Sequence, residues 1–128
     1  MAEVLVIEDD HRLRNLASRV LTRSGHAVRL AADGETGLAL YRDRAADVVV
    51  TDLTLPGKQG AETISELRQV HAEVRILAIT GDYVGPGGLP GANAVLAKPF
   101  FPDELLEAVE RLASTDEPES RRTDRVLS

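Results

Sequence analysis

Short, nearly unbroken apolar runs alternate along this chain with longer stretches in which apolar residues return every three or four positions. The runs are Val4–Ile7, His26–Ala31, Val48–Val50, Val74–Ile79 and Ala94–Ala97. Most are continuous rather than alternating, as strands covered on both faces should be. Between the first two, Leu13, Leu16, Ala17, Val20 and Leu21 fall at helical spacing, with Asp10 as N-cap and Gly25 as the stop. A second helix contains Leu38 to Tyr41 and is opened by Asp33 or by Thr36. Ile64, Leu67 and Arg68 belong to a third. Pro102 takes a first-turn position in the last helix, with Leu105, Leu106, Val109 and Leu112 on its inner face. Strand-helix alternation of this kind predicts an α/β fold, a parallel sheet joined by right-handed crossovers.

One helix of the alternation is missing. Gly81 to Ala92 is twelve residues long and includes five Gly and two Pro. Interior Gly costs a helix about 1 kcal/mol and Pro about 3 kcal/mol each, so at most a single turn would survive there. A mobile loop is expected, with a well-packed irregular loop as the alternative. After Ala113 the chain turns polar, so residues 114–128 are expected to be a frayed helix end, a disordered tail or a shortened linker after a domain spanning 1–113.

Composition narrows the class. A chain of 128 residues with 43% hydrophobic positions makes one domain with a real core, aliphatic because it has two Phe, two Tyr and no Trp. No apolar run approaches the roughly 18–20 residues of a membrane span, and Met1 opens into a strand-like run rather than a signal peptide. The absence of cysteine removes disulfides and thiolate metal sites and fits the cytoplasm. A net charge of −6 argues against nonspecific nucleic-acid binding. These features place the chain as a soluble, cytoplasmic α/β domain with no membrane or nucleic-acid partner.

In a parallel α/β sheet, the C-terminal strand ends converge on one edge, where ligands bind. Glu8, Asp9 and Asp10 follow the first run, Asp52 follows the third, Thr80 closes the fourth and Lys98-Pro99 follows the fifth. Carboxylates, a hydroxyl and an ammonium meeting there suit a divalent cation plus a phosphoryl group. A carboxylate such as Asp52 can be a nucleophile toward phosphorus, and catalysis of such a transfer is mostly positioning and charge neutralisation. Mg2+ favours oxygen ligands: Asp9 and Asp52 directly, Glu8 directly or through water. Without a cation the crowded carboxylates would raise one another's pKa. Lys98 would grip a phosphate oxygen, Thr80 would donate to another, and the Lys98-Pro99 bond is a candidate for the minority cis form. Each signal alone is weak; an acidic pair after a strand is usually a solvated loop or a helix cap. Their conjunction, each at the end of a different strand, carries the weight.

The segments Val-Leu-Val-Ile-Glu-Asp-Asp at 4–10, Val-Val-Val-Thr-Asp-Leu-Thr-Leu-Pro-Gly-Lys-Gln-Gly at 48–60, Ile-Leu-Ala-Ile-Thr-Gly at 76–81 and Ala-Lys-Pro-Phe at 97–100 resemble the receiver domain of bacterial two-component response regulators. The resemblance covers residues 3 to about 113. It implies a flavodoxin-like, doubly wound five-stranded sheet in the order 2-1-3-4-5, here with the fourth helix short or replaced by the Gly/Pro-rich loop. It implies a signalling domain rather than an enzyme, in which Asp52 accepts a phosphoryl group from a sensor histidine kinase or a phosphotransfer protein. Glu8 and Asp9 would be the acidic pair for Mg2+, with Asp52 and the backbone carbonyl of Thr54 as further ligands. Thr80 and Lys98 would be the switch hydroxyl and the phosphate-binding lysine, and Asp10 only a helix cap.

Two positions depart from the family. Receivers commonly carry Tyr or Phe three residues before the lysine, where this chain has Val95, so aromatic rotation there cannot transmit the signal. Gly81 follows Thr80 where Ala is commoner. Thr80-Gly81-Asp82-Tyr83 and the Gly/Pro run after it resemble stand-alone receivers with a Thr-Gly-X-Tyr segment, a subgroup associated with HWE-type sensor kinases. In such a receiver phosphorylation would order the 81–92 loop; Tyr83 would be the moving aromatic or merely cover the sheet edge. Asp82 and Thr54 would flank the attacking water in dephosphorylation. Other classes fit less well. A flavodoxin-like cofactor binder needs a hydroxyl- and amide-rich phosphate loop where Glu8-Asp9-Asp10 stands. A haloacid-dehalogenase-type phosphatase needs an acid where Thr54 stands, and a cap domain. A phosphorylation-independent receiver-like interaction module usually loses one of the acidic, Thr or Lys positions, and this chain keeps them all.

Overall fold

The β1 strand (Glu3–Ile7) lies inside a five-stranded parallel sheet, flanked by the edge strand β2 (Ala27–Ala31) on one side and by the central strand β3 (Val48–Asp52) on the other. Beyond β3 come β4 (Ile76–Thr80) and β5 (Ala94–Ala97), giving the order β2-β1-β3-β4-β5 expected from the sequence. The computed structural model describes residues 1–53, 60–81 and 91–114. The helices are α1 (His11–Arg23), α2 (Gly34–Asp43), α3 (Gly60–Val70) and α4 (Pro102–Ala113).

Period-2 alternation along the buried strands sorts their side chains onto two faces. Leu5, Ile7, Val49, Ile76 and Ala78 pack with Leu38 and Tyr41 of α2 and with Ile64 and Leu67 of α3. Val4, Val6, Val48, Val50, Leu77 and Ile79 pack with Ala17 and Leu21 of α1 and with Leu105 and Val109 of α4. Both faces of the sheet are thus apolar, which is why its strands read as unbroken hydrophobic runs.

Helix ends follow local chemistry. Asp10 caps α1, its carboxylate accepting the Arg12 N–H at 2.9 Å and the Leu13 N–H at 3.4 Å. At the other end, the Gly25 N–H donates to Thr22 O at 3.0 Å and the His26 N–H to Leu21 O at 3.1 Å. This pairing needs a left-handed residue at Gly25, whose φ is +91°. Asp33, not Thr36, opens α2: its Oδ1 accepts the Thr36 N–H at 2.7 Å. Pro102 is the first residue of α4, as expected, and the Glu104 carboxylate accepts the Phe101 N–H at 2.8 Å.

Several strand limits differ from the sequence pattern by one or two residues. His26 leaves β2 because its N–H closes α1, and Val74 leaves β4 because its N–H turns back to His71 O at 3.1 Å. The third run, predicted to stop at Val50, pairs on through Asp52 opposite Ile79, so Asp52 belongs to the sheet itself. The expected loop over 81–92, with Asp82 and Tyr83, lies outside the described residues except at its ends. There the Arg68 guanidinium ties α3 to the chain entering β5: it donates to Gly91 O at 3.0 and 2.7 Å, to Asn93 Oδ1 at 2.6 Å, to Ala72 O at 2.9 Å and to Val74 O. The expected tail lies outside the described residues beyond Ser114, the C-cap of α4.

Candidate functional site

At the C-terminal edge of the sheet, the ends of β1, β3 and β5 bring charged residues together, and the end of β4 adds Thr80. The Glu8 N–H donates to Ala31 O at 2.9 Å, so the ladder between β1 and β2 runs one residue past Ile7 before the chain turns. The turn directs the Glu8 side chain inward, at 2% exposure, and leaves Asp9 exposed. It is held on both sides. The Asp10 N–H donates to Glu8 Oε2 at 3.0 Å, and Arg14 of α1 donates from Nη1 to Glu8 O at 2.9 Å and to Asp9 O at 3.4 Å.

Asp52 closes β3 at 5% exposure. Directly after it, the Leu53 N–H bonds to Ile79 O at 3.1 Å, and Leu53 O accepts the Gly60 N–H at 2.9 Å. A Cβ at Gly60 would stand 2.3–2.7 Å from the Leu53 backbone, so only glycine lets α3 begin against the chain leaving Asp52. Thr80 closes β4, buried, and its carbonyl accepts the Lys98 N–H at 2.8 Å. Lys98 therefore leaves β5 beside Thr80, and its Nζ reaches Asp52 Oδ2 at 2.7 Å and Glu8 Oε1 at 3.6 Å. The Lys98-Pro99 peptide bond is cis. Val95, three residues before the lysine, is half-buried opposite Ala78.

Glu8, Asp9 and Asp52 each offer a carboxylate oxygen, and the three lie within 4.8 Å of one another. Burial, reinforced by the charge of Asp52, pushes the Glu8 carboxyl up to about 7 against the opposing pull of the Asp10 N–H and Lys98. For Lys98 burial works to lower the ammonium pKa, but the Asp52 and Glu8 carboxylates outweigh it and hold the group above its ordinary value. The backbone N–H groups of Leu13 and Arg12 hold Asp10 low, as befits a cap. Glu8 Oε1 is buried without a hydrogen-bond partner. A buried acceptor left unmatched costs roughly 1–3 kcal/mol and asks for an explanation. An all-oxygen donor set with surplus negative charge and one unmatched acceptor fits a hard divalent cation such as Mg2+.

Of the residues picked from the sequence, Glu8, Asp9, Asp52 and Lys98 meet directly and Thr80 joins them at the same edge. Thr54 lies outside the described residues. Sequence reasoning passed over two contributors. Arg14 is a charged residue on the helical stripe of buried Ala17 and Leu21, a legible irregularity. Gly60 ends the 48–60 segment but was given no role there, because its contact with Leu53 is tertiary.

A sheet of this order, with this acidic edge, defines a doubly wound α/β domain with a candidate cation site at the carboxyl ends of its strands. Residues 4–110 match the response regulator receiver domain, and the chain belongs to that family of two-component systems. The transcriptional regulatory protein QseB of Haemophilus influenzae is 36% identical over 113 residues, which are 85% of this chain and 51% of that protein. The chain spans about half the length of QseB and of the response regulator MprA of Mycobacterium sp., and 25% of the length of the transcriptional regulator NtrC of Azospirillum brasilense. Among solved structures, the non-phosphorylated HemR receiver domain of Leptospira biflexa superposes with a TM-score of 0.84 at 28% identity, covering 93% of this chain and 99% of that one. The response regulator TrrA of Thermotoga maritima, in complex with Mg2+-BeF, superposes with a TM-score of 0.80 at 29% identity, covering 88% and 99%. Among the described residues no helix is long and apolar enough to cross a membrane.

Proposed function

We propose that this chain is a phosphorylatable receiver in which Asp52 accepts a phosphoryl group from a sensor histidine kinase or a phosphotransfer protein. The observation that carries the reading is the 2.7 Å pair between Lys98 and Asp52 inside the Glu8, Asp9 and Asp52 cluster. An Asp52 carboxylate oxygen forms the new O–P bond as the N–P bond of a phosphohistidine breaks, and the imidazole nitrogen leaves with the bonding pair. Lys98 already spans Asp52 and Glu8, so a small movement of its ammonium would exchange a carboxylate oxygen for a phosphoryl oxygen. Thr80, at the end of β4, supplies a hydroxyl donor for another. Glu8, Asp9 and Asp52 would hold Mg2+, with the Thr54 carbonyl as a further ligand on the family resemblance. Bound there, the cation neutralises charge spread over the equatorial phosphoryl oxygens.

The Thr80-Gly81-Asp82-Tyr83 segment supports an HWE-type kinase as the donor. Output by protein contact suits a net charge of −6, which opposes direct contact of this domain with nucleic acid. Both the soluble character and a cytoplasmic location belong to the same reading. Intact-mass spectrometry after incubation with acetyl phosphate tests it. The expected result is a gain of one phosphoryl group that needs Mg2+ and is lost in Asp52→Asn. No gain, together with no binding of the beryllofluoride mimic, would replace this reading with a phosphorylation-independent interaction module.

A further inference from the structure

Arg14 sits in the second turn of α1 on the inward stripe shared with Ala17 and Leu21. Among the described residues it makes no ion pair. Its Nη1 donates instead to two successive carbonyls, Glu8 O at 2.9 Å and, more weakly, Asp9 O at 3.4 Å. A long side chain on a helix reaches back toward the preceding turn, so a residue in the second turn of α1 naturally covers the β1–α1 connection. The helix does not need this arginine for its own start, because Asp10 already caps it. The consequence of the contact falls on the acidic turn: both residues whose carbonyls are gripped carry carboxylates of the cluster.

We propose that Arg14 is a positioning residue for the cation site. By fixing the carbonyls of Glu8 and Asp9 it sets the backbone from which their carboxylates converge with that of Asp52. The Asp10 N–H on Glu8 Oε2 completes the arrangement by fixing one oxygen of Glu8 and leaving Oε1 unmatched, beside Lys98. The proposal rests on the Mg2+-binding reading above. Its sign separates it from simple electrostatics: a positive charge behind a cation site repels the ion. Removing that charge should therefore tighten Mg2+ binding if charge were all that mattered, and weaken it if the guanidinium holds the turn.

Calorimetric titration of Mg2+ into the wild-type chain, Arg14→Gln and Arg14→Lys, with thermal unfolding of each in EDTA, tests this. Loss of an outer-shell partner typically costs 10–100-fold in metal affinity. The expected result is a loss of about tenfold in Arg14→Gln at nearly unchanged unfolding temperature in EDTA. Arg14→Lys, which keeps the charge on a shorter stem without the planar fork, is expected to show a smaller loss. Unchanged or tighter binding in a folded Arg14→Gln would overturn the assignment. If that variant does not fold, wild-type affinity in Arg14→Lys overturns it in the same way. Failure of the wild-type chain to take up Mg2+ would instead remove the parent reading.

Discussion

Glu8 carries the tension of the site in one side chain. It is buried at 2% exposure, one of its oxygens is matched by the Asp10 N–H, and the other has no hydrogen-bond partner. Holding a charged carboxylate there opposes stability unless a cation shares the pocket. Glu8→Gln is expected to stabilise the metal-free protein at pH 8 by about 1 kcal/mol, seen as a rise of roughly 4 °C in thermal unfolding in EDTA. On the proposed Mg2+ reading, added Mg2+ is expected to stabilise the wild-type chain and to stabilise this variant far less. A lowered unfolding temperature in EDTA would show instead that the charge of Glu8 is matched within the protein, mainly by Lys98 at 3.6 Å. This tension was only half legible in the sequence. The acidic pair after an apolar run was plain, and so was its repulsion, but that Glu8 turns inward while Asp9 stays exposed follows from the turn held by Asp10 and Arg14.

At the scale of elements, local signals located the strands and helices, and hydrogen bonding to distant segments set their ends. Asp10 as a cap, Gly25 as a stop and Pro102 as a first-turn residue work through neighbours within a few positions, so they could be read directly. The extension of β3 to Asp52 depends on β4 lying alongside, with Ile79 opposite, and no local pattern announces it. The start of α3 is likewise tertiary. Gly60 permits a contact with the Leu53 backbone that any Cβ would meet at 2.3–2.7 Å, and backbone cannot yield as a flexible side chain can. Gly60→Ala is expected to cost about 2 kcal/mol in urea unfolding, more than the usual helix gain of alanine over glycine would return. Because Leu53 follows Asp52, the displacement is also expected to slow labelling by acetyl phosphate several-fold. Full stability with unchanged labelling would mean that the chain around Leu53 relaxes freely.

Over the whole molecule, the site couples to stability through the protonation of Glu8. A carboxyl raised from 4.5 to about 7 on folding favours the folded state while protonated. In the metal-free protein the folded state then binds more protons than the unfolded one between those values, so this contribution to stability is full at low pH and is lost as pH rises from about 4.5 to about 7. On the proposed reading Mg2+ would bind the deprotonated cluster of the folded chain, and it is expected to restore stability increasingly across the same window. Thermal unfolding from pH 5 to pH 8 with EDTA or with Mg2+ checks this: the two curves should converge at pH 5 and separate toward pH 8. Parallel curves would place the titration elsewhere. The amino-acid sequence by itself determined the class of fold and the residue types at the strand ends. Covered strands must read as apolar runs, and crossovers between parallel strands carry helical periodicity. Only the tertiary structure decided which oxygens converge and which face inward, that Lys98 reaches Asp52 at 2.7 Å, and that Arg14 and Gly60 hold the backbone on either side. Those are distances between segments far apart in the chain, set by sheet register and side-chain reach, and no periodicity along the sequence encodes them.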